Sequence, residues 1–136
     1  MDFSTSMAVA AAGMRAQSDR MKTIAENIAN ANSTSATIGG DPYRRQIATV
    51  KSEFDRTLNA TVVDAGKPMQ DMSPFRMQYD PGNPAADKQG YIKLPNVNSL
   101  VEIMDMREAQ RSYEADLTVM DATKSMLART VDLLNK

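Results

Sequence analysis

From residue 99 to its last residue the chain contains neither glycine nor proline, and apolar side chains return at alternating spacings of three and four. Ile103, Met106, Gln110, Tyr113, Leu117, Met120, Lys124, Leu127, Val131 and Leu134 trace the stripe, and only Gln110 and Lys124 are polar. Such alternation is the heptad seam of a helix that packs on another helix. Ser99 and Glu102 stand at capping-box spacing and predict the helix start. A helix of about 36 residues is roughly 54 Å long. A compact globule of 136 residues cannot bury it, so it needs a partner of similar length.

The partner is predicted at the other end of the chain, over residues 4–31. Met7, Met14, Met21 and Ile28 recur every seven residues, and so do Phe3, Ala10, Gln17, Ile24 and Ala31 in the offset slot. Arg15, Asp19, Arg20, Lys22 and Glu26 take the other faces, and Ser4, Thr5 or Ser6 is expected to cap the start. Asn32-Ser33-Thr34-Ser35 and then Gly39-Gly40-Asp41-Pro42 end the pattern in what reads as a flexible turn.

Between the two heptad segments the texture changes. All six prolines and five of the six glycines fall between residues 32 and 98. Phe75, Met77 and Tyr79 alternate with polar neighbours, so a short strand is expected there, pairing with Gly90-Tyr91-Ile92-Lys93-Leu94-Pro95 across an Asp/Pro/Gly/Asn turn. Residues 43–50 and 61–64 are weaker strand candidates. The expected division is 1–32, 33–98 and 99–136: heptad helix, loop and β-containing insertion, heptad helix.

The fold class that follows is mainly α with a small β insertion, the two long terminal helices pairing as a coiled coil. One chain leaves the longer seam partly open, and isolated helices of this kind are marginal in water. Packing against copies or relatives covers the remainder, which points to an assembly protein.

Composition removes most alternatives. The chain has no His and no Cys, which excludes imidazole- and thiolate-based catalysis and the usual zinc and haem sites. Sixteen basic against seventeen acidic residues give a net charge of −1, with no long basic run for nucleic acid. Eleven methionines and no tryptophan suit adaptable apolar contacts. No stretch is apolar enough to span a membrane, and the first residues lack the basic region of a cleaved signal, so retention in the cytoplasm or export without cleavage is expected.

Sharper chemical readings do not hold. Met7, Met14 and Met21 are about two helical turns apart, roughly 10 Å, too far to share a copper ion. Asp80, Asn83 and Asp87 lack the ligand spacing of a calcium loop, stiffened as they are by Pro81 and Pro84. Nothing makes Asp80 and Asp87 converge as a hydrolase pair. Gly39-Gly40-Asp41-Pro42 lacks the Lys-Ser/Thr of a phosphate cradle. Arg44 and Arg45 are read as a solvated basic pair, with nucleic acid or peptidoglycan carboxylates as the alternative contact. Glu102, Asp105, Glu108 and Glu114, beside Arg107 and Arg111, are read as ion pairs of a solvated helix face or between subunits. Gln110 and Lys124 either fix neighbour register or lie on an exposed stretch of seam. No catalytic residue, metal or cofactor is expected.

Several motifs carry a family resemblance. Ile24-Ala25-Glu26-Asn27-Ile28-Ala29-Asn30-Ala31-Asn32-Ser33-Thr34 resembles the asparagine-rich signature that closes the N-terminal helix of bacterial flagellar rod and hook proteins. Tyr79-Asp80-Pro81-Gly82-Asn83-Pro84-Ala85-Ala86-Asp87, Gly90-Tyr91-Ile92-Lys93-Leu94-Pro95-Asn96-Val97-Asn98 and Met104-Asp105-Met106-Arg107-Glu108-Ala109-Gln110-Arg111-Ser112-Tyr113-Glu114-Ala115 resemble the proximal-rod, FlgC-type branch. Ser99 stands where many relatives have proline, a change a helix start accommodates.

The resemblance implies a structural subunit of the proximal rod in the flagellar basal body. Its helices would form the inner core of a helical tube and the middle region an outer layer. It would pass through the type III export apparatus into the periplasmic rod without a cleaved signal, and transmit torque there. Implied partners are further copies, other rod proteins, the rod-base adaptor and the membrane ring, with no nucleic acid and no direct membrane span. The expected assembly surface is the heptad positions Met7, Met14, Met21, Ile24, Ile28, Ile103, Met106, Gln110, Tyr113, Leu117, Met120, Leu127, Val131 and Leu134, with the asparagines Asn27, Asn30 and Asn32. The competing function is a secreted helical-hairpin adaptor or effector acting as a soluble dimer.

Overall fold

A computed structural model describes residues 2–134. Two long helices enclose six short strands in the chain: α1 (Phe3–Ala29), β1 (Gln46–Ile47), β2 (Val50–Asp55), β3 (Ala60–Ala65), β4 (Met69–Gln70), β5 (Arg76–Tyr79), β6 (Tyr91–Leu94) and α2 (Ser99–Leu134). The strands form three antiparallel ribbons, β1 with β4, β2 with β3 and β5 with β6. Mainly helical with a small β insertion is thus the observed class. The last two positions of the expected C-terminal helix lie outside the described residues.

Both predicted caps are displaced toward the N-terminus, by two residues or more at α1 and by one at α2. Ser4, Thr5 and Ser6 lie inside the first turn of α1, and the carbonyl of Asp2 accepts the first helical bond, from the Ser6 amide. At α2 the side chain of Asn98 accepts a hydrogen bond from the Leu100 amide at 3.1 Å, and its carbonyl accepts from the Glu102 amide. Asn98 is therefore the N-cap. No capping box forms, because the Glu102 carboxylate is used elsewhere.

The chain divides into two compact units. The first comprises residues 2–21, 49–67 and 107–134: the N-terminal part of α1, the β2–β3 ribbon and most of α2. The two helices meet in opposite sequence order, Gly13 beside Asp116 and Arg20 paired with Glu108 at 3.4 Å. The approach at Gly13 is close: a Cβ there would stand 2.6 Å from the Asp116 carboxylate. The buried side chains are Ala10, Ala12, Ala16, Ala109 and Thr123. A core of alanines removes little apolar surface from water, at about 25 cal/mol per Å². On the ribbon, Val50, Phe54 and Val63 share an exposed face.

The second unit comprises residues 22–48 and 68–106. Its core is richer: Ile24, Ala31, Ala85, Ile92, Pro95 and Val97 are buried. The β5–β6 hairpin runs where it was expected, with Tyr79 opposite Tyr91 and their rings edge to face at 5.2 Å. Gly90 has φ +85°, and a Cβ would stand 2.8 Å from the Tyr79 ring, so the turn requires glycine. Asp87 organises the turn by accepting the amides of Gln89 and Tyr91. The segment at Gly39 and Gly40 is fastened rather than free: the Gly39 amide donates to the Ala85 carbonyl, and Asp41 pairs with Lys93 at 2.7 Å.

Candidate functional site: a buried anchor and an open helix face

The asparagine of the α1 signature lies at the centre of the second unit. Asn27 is 1 % exposed and uses its whole hydrogen-bonding capacity within the chain. Its Nδ2 donates to the Gln46 carbonyl at 2.8 Å and to Glu102 Oε2 at 3.0 Å. Its Oδ1 accepts from the Tyr43 hydroxyl at 2.8 Å and from the Gln46 amide at 2.9 Å. The amide group therefore takes the place of a neighbouring strand along the edge of β1 that β4 leaves open, and ties that edge to the first turn of α2. Asn30 acts locally, its Nδ2 donating to the Glu26 carbonyl at 2.8 Å and closing the end of α1. Asn32 is exposed.

Glu102 is 1 % exposed, and its second oxygen accepts from Arg45 Nε at 2.5 Å. The guanidinium also faces Asp71 at 3.4 Å and Asp105 at 3.7 Å. Burial works against the Arg45 charge, but the hydrogen bonds and fields of Glu102 and Asp71 raise its pKa above the ordinary value. Asp71 is held below the usual carboxylate range, first by the Ser73 amide and hydroxyl and then by Arg45. The Tyr43 hydroxyl is raised by burial, then by the Glu26 and Glu102 carboxylates.

Asn96 completes the lattice. It accepts the Arg45 amide at 2.8 Å and donates to the carbonyls of Asp71 and Ser73. Arg44 donates to the same two carbonyls and lies over the Phe75 ring at 4.2 Å. The reading of Arg44 and Arg45 as a solvated pair is therefore corrected: both are internal ties. So is the solvated-face reading of Glu102, whereas Glu108 does lie exposed beside Arg20.

On α2 the seam toward the rest of the chain differs from the expected stripe. Glu102, Ala109 and Thr123 are buried, with Met106, Tyr113, Asp116 and Met120 half-buried. Met106, Tyr113 and Met120 belong to the predicted stripe; its other members, Ile103, Gln110, Leu117, Lys124, Leu127, Val131 and Leu134, are exposed. Each of the eleven positions 124–134 is exposed, Leu134 at 82 %. On α1 the stripe faces inward: Ile24 is buried, and Met7, Met14, Met21 and Ile28 are half-buried. The site thus has two parts, an internal polar anchor and an apolar helix face that its own chain does not cover.

Comparison with known proteins fits this division. Residues 7–36 match the family described as flagella basal body rod protein, and residues 88–133 the C-terminal family of flagellar basal body rod FlgEFG proteins. A flagellar basal-body rod protein FlgC of Agrobacterium fabrum is 48% identical over 97% of this chain and 95% of its own length. The chain belongs to the FlgC family of flagellar basal-body rod proteins. FlgC proteins of Bacillus subtilis and Salmonella typhimurium are 36% and 34% identical, over 94% and 92% of this chain and 95% and 92% of their own lengths. It is a structural subunit of the basal-body rod, and the soluble adaptor is set aside.

The two regions matched by the family models hold opposite sides of the anchor, Asn27 on one and Asn96 and Glu102 on the other. Arg45 and Asp71 lie between them. Heptad counting treats Asn27 and Glu102 as surface positions and misses their pairing. The available signal was the asparagine-rich signature itself, since a cluster of asparagines on a helix is poor helix chemistry unless the amides bind something. No described helix is long and apolar enough to cross a membrane.

Proposed function

We propose that this subunit polymerises through its terminal helices, paired as coiled coils, into the helical tube of the proximal rod. The exposed face Leu117, Leu127, Val131 and Leu134 of α2 is the principal contact. The observation that carries this is the inversion in the first unit: alanines fill the interior while leucines and valines face water. Exposed apolar surface of that extent is a docking surface, and membership of a rod family supplies the reason for it. The middle region forms an outer layer, and torque passes through packed helices with no reactive group involved.

Within the periplasmic rod the neighbours are further copies, the other rod proteins, the rod-base adaptor and the membrane ring beneath. The chain arrives through the type III export apparatus without losing a signal segment. Met7, Met14 and Met21 give adaptable contacts where neighbours are not identical. Leu117→Asp and Leu127→Asp test the assignment in flagellated cells. Both proteins should be expressed and exported, with rods absent and cells non-motile. Normal rods and swimming in both variants would sink the reading.

A further inference from the structure

A second contact surface lies between the same two helices. Between α1 and α2 of the first unit runs a groove of about 580 Å³, flanked by Val9, Gly13 and Gln17 on α1 and by Asp116 and Val119 on α2, with Val63 of β3 at its side. The groove is rich in acceptors. The Oε1 of Gln17 is buried with no hydrogen-bond partner, and the Asp116 carboxylate stands against Gly13. None of the groove's lining residues is basic. A buried acceptor without a donor costs about 1–3 kcal/mol, so the occupant that fits is a cation on an apolar stem between two apolar neighbours.

The chain carries such a segment. Met126, Arg129 and Leu133 share one face of α2, spaced i, i+3 and i+7, within the exposed residues 124–134. That face is adjacent to, and distinct from, the Leu127, Val131 and Leu134 seam. Groove and segment also match in length: residues 6–17 of α1 and residues 124–134 of α2 each rise roughly 15–17 Å.

We infer that residues 124–134 of one copy seat in the Gln17–Asp116 groove of a second copy, with the Arg129 guanidinium on the Asp116 carboxylate. Donor and acceptor patches lie at different places on one subunit, so the contact is head-to-tail and leaves a free groove and a free end after every addition. Such a contact builds an open helical series unless its rotation closes into a ring. This rests on the rod-subunit reading and names one of its contacts.

Charge exchange tests it on the full-length protein by sedimentation velocity, with circular dichroism to confirm that helix content is kept. Asp116→Arg and Arg129→Asp should each weaken self-association about tenfold or more. A one-to-one mixture of the two variants should restore association as an alternating series, because each variant's segment is complementary only to the other's groove. The double variant should recover the open-ended series. An independent check uses the absence of native cysteine: Val119→Cys with Leu133→Cys should give a disulfide ladder of covalent multimers on oxidation. Arg129→Asp and Asp116→Arg associating like the wild type, a mixture associating no better than either variant alone, no ladder, or a wild type monomeric to roughly millimolar concentration would overturn the contact. If these variants assemble normally while Leu127→Asp does not, the groove is wrong and the seam stands; if Leu127→Asp also assembles, the proposed assembly through the leucine seam fails as well.

Discussion

Asn27 and Glu102, 75 positions apart in the chain, are joined by a buried 3.0 Å hydrogen bond that fixes the end of α1 against the start of α2. The amide also holds the free edge of β1, so no other side chain of its size can replace it. Asn27→Ala leaves the Gln46 backbone groups and one Glu102 oxygen unpaired in a dry site. A loss of about 2–4 kcal/mol in urea unfolding is expected, since more than one group loses its partner. Asn27→Asp should cost more, because it sets a second carboxylate against Glu102. A loss under about 0.5 kcal/mol in either variant would show that the anchor is ornamental.

The Arg45–Glu102 pair is asymmetric, and its two halves should fail differently. Removing the cation, as in Arg45→Met, strands a carboxylate that is 1 % exposed and leaves it without a counterion. That change should cost about 3 kcal/mol. Glu102→Gln leaves an arginine that still faces Asp71 and Asp105 and is 22% exposed. Its cost should be nearer 1 kcal/mol. A double-mutant cycle on the full chain checks the order: equal costs, or a coupling energy near zero, would contradict the buried pair.

The helices and the hairpin were legible in the residues because each rests on local chemistry. The heptad counts located α1 and α2, and the alternation around Met77 with turn residues after Tyr79 located β5 and β6. What stayed hidden depends on partners far along the chain. Glu102 sits at capping-box spacing from Ser99, yet Arg45 and Asn27 take its carboxylate, and the cap passes to Asn98. The inward seam of α2 was masked for the same reason: Glu102, Ala109, Asp116 and Thr123 are small or polar, so a hydrophobicity count chooses the leucines beside them. β2 was missed because Lys51, Ser52, Glu53 and Asp55 give it a polar texture although it pairs with β3 along six residues.

The reassigned cap gives a sharp comparison. Asn98→Ala should lower stability by about 1 kcal/mol through loss of the bond to the Leu100 amide. Ser99→Ala should be neutral within about 0.5 kcal/mol. Thermal melting of the two variants decides it, and a larger effect at Ser99 would restore the capping box.

Acid should act through the turn carboxylates. Asp87 lies below the usual range, held there by the amide of Tyr91 and then those of Gln89 and Gly90; Asp41 is lowered by Lys93. A folded-state pKa below the unfolded one contributes stability that is present above about pH 4. It is lost as pH falls through the folded value. Asp87→Asn should therefore melt below the wild type at pH 7, and the gap should narrow as the pH falls below 4. A constant gap across that window would exclude the charge as its cause.

The inverted first unit makes the last prediction. Ala109 is fully buried, whereas Leu127, about five turns further along α2, is 42% exposed. Enlarging the alanine, as in Ala109→Leu, forces the packed helices apart and should cost about 1–3 kcal/mol in the free chain. Leu127→Asp changes a solvent-facing position and should cost under about 1 kcal/mol, mostly helix propensity. Assembly should show the opposite sensitivity in at least one respect: the leucine variant, though folded, should add to no rod. Urea unfolding paired with electron microscopy of basal bodies separates the two properties. A Leu127→Asp chain that unfolds as readily as Ala109→Leu would mean that the leucine face is already covered by its own chain, and that the surface assigned to neighbours is interior after all.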